Sequence, residues 1–297
     1  MNIRDGLAYR EDYFNDPADW RAIKDLLRDI FNVDIDPLDR LGGPDWTNMP
    51  SAYFDRRGRC IANLSAFSMP LTINGREIAA AGLQSGAVRP EYRGHGLFRD
   101  LTLRTLARCD EKGFETVVLY TDKPGLYERH GFVAVPQYGF AGTPPRPQPA
   151  HKPAARKLSL DIPADLVLLK RLLAQRAPVS NRFAVLRQME MFLLNAVLIE
   201  GVELALLDDF PAIVAWREGE GGRFELLDVA GPSVPSLAEI LTALEADSPH
   251  VTVSFPPDRL DWAGEAIADD GNLTFMMRCR RDLIPTEPFC LSPMAEF

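Results

Sequence analysis

The chain is poor in the side chains that most metal and redox chemistry needs. Four cysteines (Cys60, Cys109, Cys279, Cys290) are spread over 297 residues without a Cys-x-x-Cys pair. Reduced packing thiols are therefore expected, and neither a zinc site nor a redox couple. The four histidines (His95, His130, His151, His250) lack ligand spacing on a helix or strand, so no metal is expected. No Gly-x-x-x-x-Gly-Lys-Ser/Thr loop occurs, which argues against a nucleoside triphosphate. Gly82-Leu83-Gln84-Ser85-Gly86 is not the Gly-x-Ser-x-Gly elbow of hydrolases. No apolar run approaches the roughly 18 residues of a membrane span. The opening residues carry acids and no apolar stretch, unlike a secretory signal, so a cytoplasmic chain without a membrane partner is expected.

Basic charge is scarce as well. The net charge is -9, and it is unevenly shared. Residues 1–150 carry 19 Lys and Arg against 20 Asp and Glu, the remainder 14 against 22. Nucleic acid is disfavoured as a partner. An acidic second half suits a cationic substrate, although solubility alone is the more frequent reason for such an excess. At 25% charged and 46% hydrophobic residues the composition is that of a globular protein long enough for two cores.

Against that background one segment stands out: Val88-Arg89-Pro90-Glu91-Tyr92-Arg93-Gly94-His95-Gly96-Leu97-Phe98. An apolar run (Ile78–Val88) precedes it, and a helical pattern from about Gly96 to Lys112 follows. In that helix Phe98, Leu101, Leu106 and Cys109 fall within an arc of about 140°, so one face is core. The first N–H groups of a helix lack helical acceptors, and its dipole places positive charge there. Gly94 and Gly96 permit positive φ and a close approach of the backbone to a ligand. Five arginines (Arg89, Arg93, Arg99, Arg104, Arg108) stand against two acids between residues 89 and 108. A diphosphate pocket accounts for these features together; an ordinary tight turn is the alternative. Further on, Glu115–Thr121 reads as a buried strand. Asp122–Phe132 reads as a short helix stopped by Gly131.

Arg93 and Gly96, preceded by Val88-Arg89-Pro90, resemble the acetyl-CoA loop of the GNAT superfamily of N-acyltransferases, Arg/Gln-x-x-Gly-x-Gly/Ala after a strand. The last small position holds Phe98, which looks like the "enhanced intracellular survival" branch, where a bulky residue is usual. Tyr127-Glu128-Arg129-His130-Gly131-Phe132 is similar to the superfamily's Tyr-x-x-x-Gly-Phe. The resemblance implies an α/β (α+β) GNAT fold with a central mixed sheet and acetyl-CoA as cosubstrate. It implies that Arg93, Gly94, His95, Gly96, Leu97 and Phe98 hold the pyrophosphate, and that the main chain of Ala87 and Val88 bonds the pantetheine arm. Tyr127 would be the general acid that protonates the thiolate, a phenol of pKa about 10 against a thiol of about 8.5; packing alone is its other reading. The acceptor would be a primary amine of a small molecule or peptide. The alternative is an acyl-CoA-binding sensor or assembly module without catalysis. The chain is compatible with a homo-oligomer.

The expected element order through Ala141 is strand, helix, three strands, helix, strand, helix, strand. Its parts include a strand Leu7–Tyr13, a helix capped by Asn15 or Asp16, strands Ser51–Asp55 and Ile61–Ile73, and a type I′ turn at Asn74-Gly75. Residues 142–157 hold five prolines and read as an extended linker. From 158 to 297 come helices Ala164–Gln175 and Arg182–Asn195, then strands Val202–Leu207, Ala212–Arg217 and Phe224–Val229. A helix Ser236–Ala246, a strand Val251–Phe255, a short helix and a strand Leu273–Arg278 complete it. This order looks like a degenerate second GNAT half, without Arg-x-x-Gly and so without coenzyme A. Trp46, Phe67 and Met69 read as core residues or as the lining of an acceptor pocket. The chain ends in an apolar stretch closed by Glu296 and Phe297, suited to docking on protein. By resemblance to tandem-GNAT relatives and N-myristoyltransferases, the α-carboxylate of Phe297 would be the catalytic base. Glu296 competes for that role, and a tail that merely covers apolar surface is the third possibility.

Overall fold

Asp16 caps the first helix. Its carboxylate accepts from the N–H of Ala18 (2.8 Å) and Asp19 (3.3 Å), Pro17 occupies the first turn, and Asn32 ends the helix at φ 55°. The computed structural model describes residues 6–12, 14–146 and 154–297. In chain order the first elements are β1 (Ala8–Arg10), α1 (Pro17–Phe31), α2 (Pro37–Leu41), β2 (Ala52–Phe54), β3 (Cys60–Ser68), β4 (Leu71–Ile73) and β5 (Arg76–Ile78). Next come β6 (Ala80–Val88), α3 (Leu97–Glu111), β7 (Thr116–Thr121), β8 (Val133–Ala134), β9 (Tyr138–Gly142) and β10 (Ala155–Leu158). Then follow α4 (Pro163–Ala174), β11 (Phe183–Val185), α5 (Met189–Leu198), β12 (Glu203–Leu207) and β13 (Ala212–Gly219). β14 (Arg223–Ala230), α6 (Leu237–Ala243), β15 (Val251–Val253), β16 (Glu265–Ala268) and β17 (Thr274–Cys279) complete the chain. Among the described residues no helix is long and apolar enough to cross a membrane.

Two compact units emerge. One holds the chain up to Ser68, then Ala79–Leu119 and Phe297; the other holds Met69–Ile78 and Tyr120–Glu296. In the first, β1, β2, β3 and β6 form an antiparallel run and β7 joins β6 in parallel. The helices α1 and α3 both pack on β3, whose residues Cys60–Phe67 are all buried. A buried face of α1 (Ala22, Ile23, Leu26, Leu27) and one of α3 (Leu97, Leu101, Leu106, Cys109) supply the core. Phe98, expected on that face, is half-buried.

In the second unit β12, β13 and β14 form an antiparallel meander, and β15 adds to β14 in parallel after α6. That is the β3, β6, α3, β7 arrangement over again, on unrelated residues. β9 and β16 extend the sheet beyond β15, and β10 flanks it on the other side.

Several expected elements differ. The strand Ile61–Ile73 breaks at Met69-Pro70, where proline offers no N–H to a ladder. The Asn74-Gly75 turn forms as expected, with φ of 51° and 74°, and β4 and β5 build a small sheet with β11. The helix expected from Arg182 starts at Met189, because Phe183–Val185 pair with β4 instead and Gln188 caps the helix through Met191 N–H (3.1 Å). Between Phe255 and Leu273 a strand, β16, stands where a helix was expected. The proposed linker is strand at both edges: Gly142 ends β9, and Ala155–Lys157 pair with Ala205–Leu207. His151 and positions 147–153 lie outside the described residues, as does Tyr13 at the end of the first expected strand. The compact units also divide the chain elsewhere than at Ala141.

Candidate active site

The loop that dominates the sequence is built on a bulged strand. β6 follows β3 in register from Ala81 to Gln84, slips, and resumes at Ala87 opposite Asn63. At the slip Ser85 takes φ 58°, uncommon for a residue with a Cβ, and Asn63 Nδ2 donates to its carbonyl at 2.9 Å. The parallel ladder to β7 covers only Ala80–Gly82 opposite Thr116–Val118. From Leu83 to Val88, roughly 15–20 Å at a strand's rise, β6 runs on without that partner. Bulge and fork were missed in the sequence, although Gln84-Ser85-Gly86 inside an apolar strand is their signal.

Beyond Val88 the chain makes a 3-10 turn, Pro90–Tyr92, and passes Gly94 (φ 78°) and Gly96 (φ 76°) into α3. The first helical bond runs from Asp100 N–H to Gly96 O (3.1 Å), so the N–H groups of Leu97, Phe98 and Arg99 precede the ladder. A Cβ on Gly94 would meet nothing within 4 Å, so the left-handed backbone, not crowding, selects glycine there. Gly94, His95 and Gly96 are exposed, whereas Leu97 is buried beneath them. Ala87 is buried and Val88 half-buried at the strand's end.

The five arginines do not form one cluster. Arg89 is buried, donating through Nε to Cys60 O (2.7 Å) and through Nη1 to Asp29 (2.7 Å). Arg104 pairs with Asp100 (2.6 Å) and lies over the Tyr9 ring, and Arg108 donates to Pro50 O (2.7 Å). Arg93 donates to Val88 O (3.1 Å), which ties the loop to its strand. Arg93 and Arg99 remain as exposed cations beside the helix start. The positive character of the site therefore comes more from backbone and dipole than the sequence implied.

Phe297 belongs to the same unit. Its ring meets Phe67 edge-on at 5.1 Å between centroids. A Cβ on Gly82 would come within 3.1 Å of Phe297 Cζ and 2.6 Å of Phe67 Cζ. Gly82 is the last residue of the β6–β7 ladder, so the Phe297 ring sits at the fork of the sheet. Phe67 and Met69 are fully buried, as core residues should be. Trp46 is not core: it is 89% exposed.

Tyr127 lies in the other unit, between the 3-10 turns Pro124–Leu126 and Glu128–His130. These turns replace the expected helix, and Gly131 (φ 87°) ends them as anticipated. The side chain is buried, edge-on to Phe132. Burial first, and the Asp122 carboxylate second, push its pKa up to about 12. In this unit the tail docks through Leu291 N–H to Gln137 Oε1 (2.8 Å), Ser292 Oγ to Leu227 O (3.0 Å) and Asn195 Nδ2 to Glu296 O (2.8 Å).

Comparison with known proteins identifies the family and the fold. Residues 16–135 match the family model described as an acetyltransferase (GNAT) domain. An N-acetyltransferase of Escherichia coli K12, YhbS, itself uncharacterized, is 33% identical over 118 residues, 39% of this chain and 69% of the relative. The crystal structure of Eis1 from Mycobacterium abscessus shares the fold, with TM-score 0.61 and 16% identity, over 92% of this chain and 73% of that one. A GCN5-related N-acetyltransferase from Kribbella flavida does so with TM-score 0.57 and 16% identity, over 91% and 70%. Those two likenesses, at such identity, concern the fold alone.

Proposed function

The chain belongs to the GNAT acetyltransferase family, and from that premise we propose that it transfers an acetyl group from acetyl-CoA to a primary amine by direct attack. The bulged, forked strand β6 running into Gly94, Gly96 and the start of α3 is the observation that carries this reading. Its main chain, Ala87 and Val88 included, offers an edge to the pantetheine arm. The segment Arg93–Phe98 offers N–H groups and Arg93 to the pyrophosphate. The amine nitrogen attacks the thioester carbon, a C–N bond forms, and the C–S bond breaks to leave the coenzyme A thiolate. No covalent enzyme intermediate is needed; orientation and charge stabilisation lower the barrier.

Two proton movements complete the balance. The amine loses a proton as the C–N bond forms, and we assign it to the Phe297 α-carboxylate, because the ring of that residue sits at the fork. The thiolate gains one, with Tyr127 as the donor. A phenol of pKa about 12 is a weaker acid than a thiol of about 8.5 by more than three powers of ten. Tyr127 therefore hydrogen bonds to sulfur as the C–S bond lengthens and relays to the thiolate a proton that water restores to the phenol. The second unit is read as a degenerate GNAT half that binds no coenzyme A. Its equivalent helix, α6, is already capped: Ser236 Oγ accepts from Glu239 N–H (3.3 Å), and Glu239 Oε2 accepts from Ser236 N–H (2.8 Å).

Extending the chain by one glycine after Phe297 displaces the carboxylate and keeps the ring. Acetyl transfer to an accepted amine should fall at least tenfold with acetyl-CoA affinity unchanged; full activity would remove the carboxylate from the mechanism.

A further inference from the structure

The second unit repeats the bulge and fork of the first on residues of its own. β14 follows β13 in register to Leu226, opposite Trp216, and resumes with Asp228 opposite Ala215, so Leu227 is an extra residue. β15 pairs with β14 only along Phe224–Leu226. From Leu227 to Ala230 the strand runs on without that partner, as β6 does beyond Gly82. In the first unit this open edge is the proposed place of the pantetheine arm.

In the second unit the chain's own end fills it. Ser292 Oγ donates to Leu227 O (3.0 Å). Arg176 Nη2 donates to Val229 O (3.2 Å) and to the Asp228 carboxylate (2.7 Å). Cys290, Leu291 and Ser292 face Arg176, Asp228 and Phe255 across a cavity of about 10 Å³, room for nothing larger than a water.

The walls of this fork form without the tail. The bulge at Leu227 is set by β13, and Arg176 and Asp228 bury each other as an ion pair. The tail is held differently. Phe289 anchors it, its ring 4.4 Å from that of Phe183 and its carbonyl accepting from Tyr138 N–H (2.8 Å). Among the described residues Cys290–Glu296 joins no strand ladder. Separate bonds hold it instead: Leu291 N–H to Gln137 Oε1 (2.8 Å), Ser292 to Leu227, and Asn195 Nδ2 to Glu296 O (2.8 Å). Leu291, Met294 and Ala295 are buried against the unit. A segment near the chain's end, held without a ladder, opens at lower free energy than a strand paired on its flanks.

We propose that the fork of the second unit is a preformed peptide site whose ligand is the chain's own segment Cys290–Glu296, a strap that opens and closes while the rest of the unit stays folded. The Ser292 hydroxyl on Leu227 O and the apolar side chains of Leu291 and Met294 make the site selective for this segment. The strap runs straight on into Phe297, so its opening also withdraws the carboxylate assigned above as the base. Only that consequence rests on the acetyl-transfer reading.

Cys290 is a native probe, because it is buried while the strap is docked. Its alkylation by iodoacetamide in the full chain, located by peptide mass, is followed in urea below the unfolding transition, with neither acetyl-CoA nor amine present. The rate should rise with urea far less steeply than unfolding does, because opening exposes only a short segment. A urea dependence equal to that of unfolding would overturn the proposal and make the tail an inseparable part of the core. Ser292→Ala should speed alkylation without urea about fivefold or more, since the docked state then leaves Leu227 O buried without its donor. An unchanged rate in the folded variant would overturn the fork as the tail's site. Cys109, buried on α3 in the other unit, is the internal reference and should react at one rate in both proteins.

Discussion

At the scale of single residues, chemistry and stability separate cleanly. Replacing Tyr127 by Phe removes one hydroxyl from a buried ring whose packing on Phe132 is retained. Turnover with an accepted amine should drop by about 10²–10⁴, the usual worth of a positioned proton donor, while acetyl-CoA affinity stays the same. Asp228 and Arg176 form a pair at 2.7 Å with side chains 0% and 2% exposed. Asp228→Ala would strand a buried guanidinium and should cost about 3–5 kcal/mol in urea unfolding at pH 7, with no effect on the first unit's loop. Glu296 titrates in the opposite sense to a paired acid. Its folded pKa is raised, so the native state binds the extra proton and stability falls as pH rises through that window. Glu296→Gln should raise the melting temperature at pH 7, with the gain vanishing below about 4.3, where the acid is protonated folded and unfolded alike. Neither the ion pair nor the raised acid was visible in the sequence, because both arise from burial between residues far apart in the chain.

At the level of elements, local signals in the sequence match the structure where the chain itself decides. Asp16 with Pro17, Asn74-Gly75, and Gly94 with Gly96 each fix backbone geometry through their own chemistry, and each forms as the sequence implied. Elements decided by distant partners depart from their local sequence signals. Phe183–Val185 look helical in isolation and become a strand because β4 offers an edge. Arg89, Arg104 and Arg108 look like phosphate ligands, yet carbonyls and acids elsewhere in the unit take them up. The loop retains its meaning through the backbone, which leads to a direct expectation. Gly96→Asp adds a side chain and a negative charge at a residue with φ 76° at the helix start. Acetyl-CoA binding should be lost by calorimetry while the melting curve shows a folded protein. Retained affinity would move the pyrophosphate elsewhere.

At the scale of the whole molecule, the same strand and helix order occurs twice, but the two copies differ at the point that matters. α3 begins at two left-handed glycines without a side-chain cap, and α6 begins with its own capping box. The absence of Arg-x-x-Gly from the second half was legible in the sequence; the box that closes its helix was legible in Ser236 and Glu239. The docking of the tail was legible in its apolar composition, whereas the position of Phe297 at Gly82 required the fold. In the proposed function one of the two halves binds acetyl-CoA, and the chain uses it to acetylate an amine. Coenzyme A thiol release from acetyl-CoA, followed across a panel of primary amines, tests it most directly. Release should depend on the amine and equal the acetylated product mole for mole. Tight binding of acetyl-CoA, with release no faster in any amine than in buffer, would contradict it and leave an acyl-CoA sensor in its place.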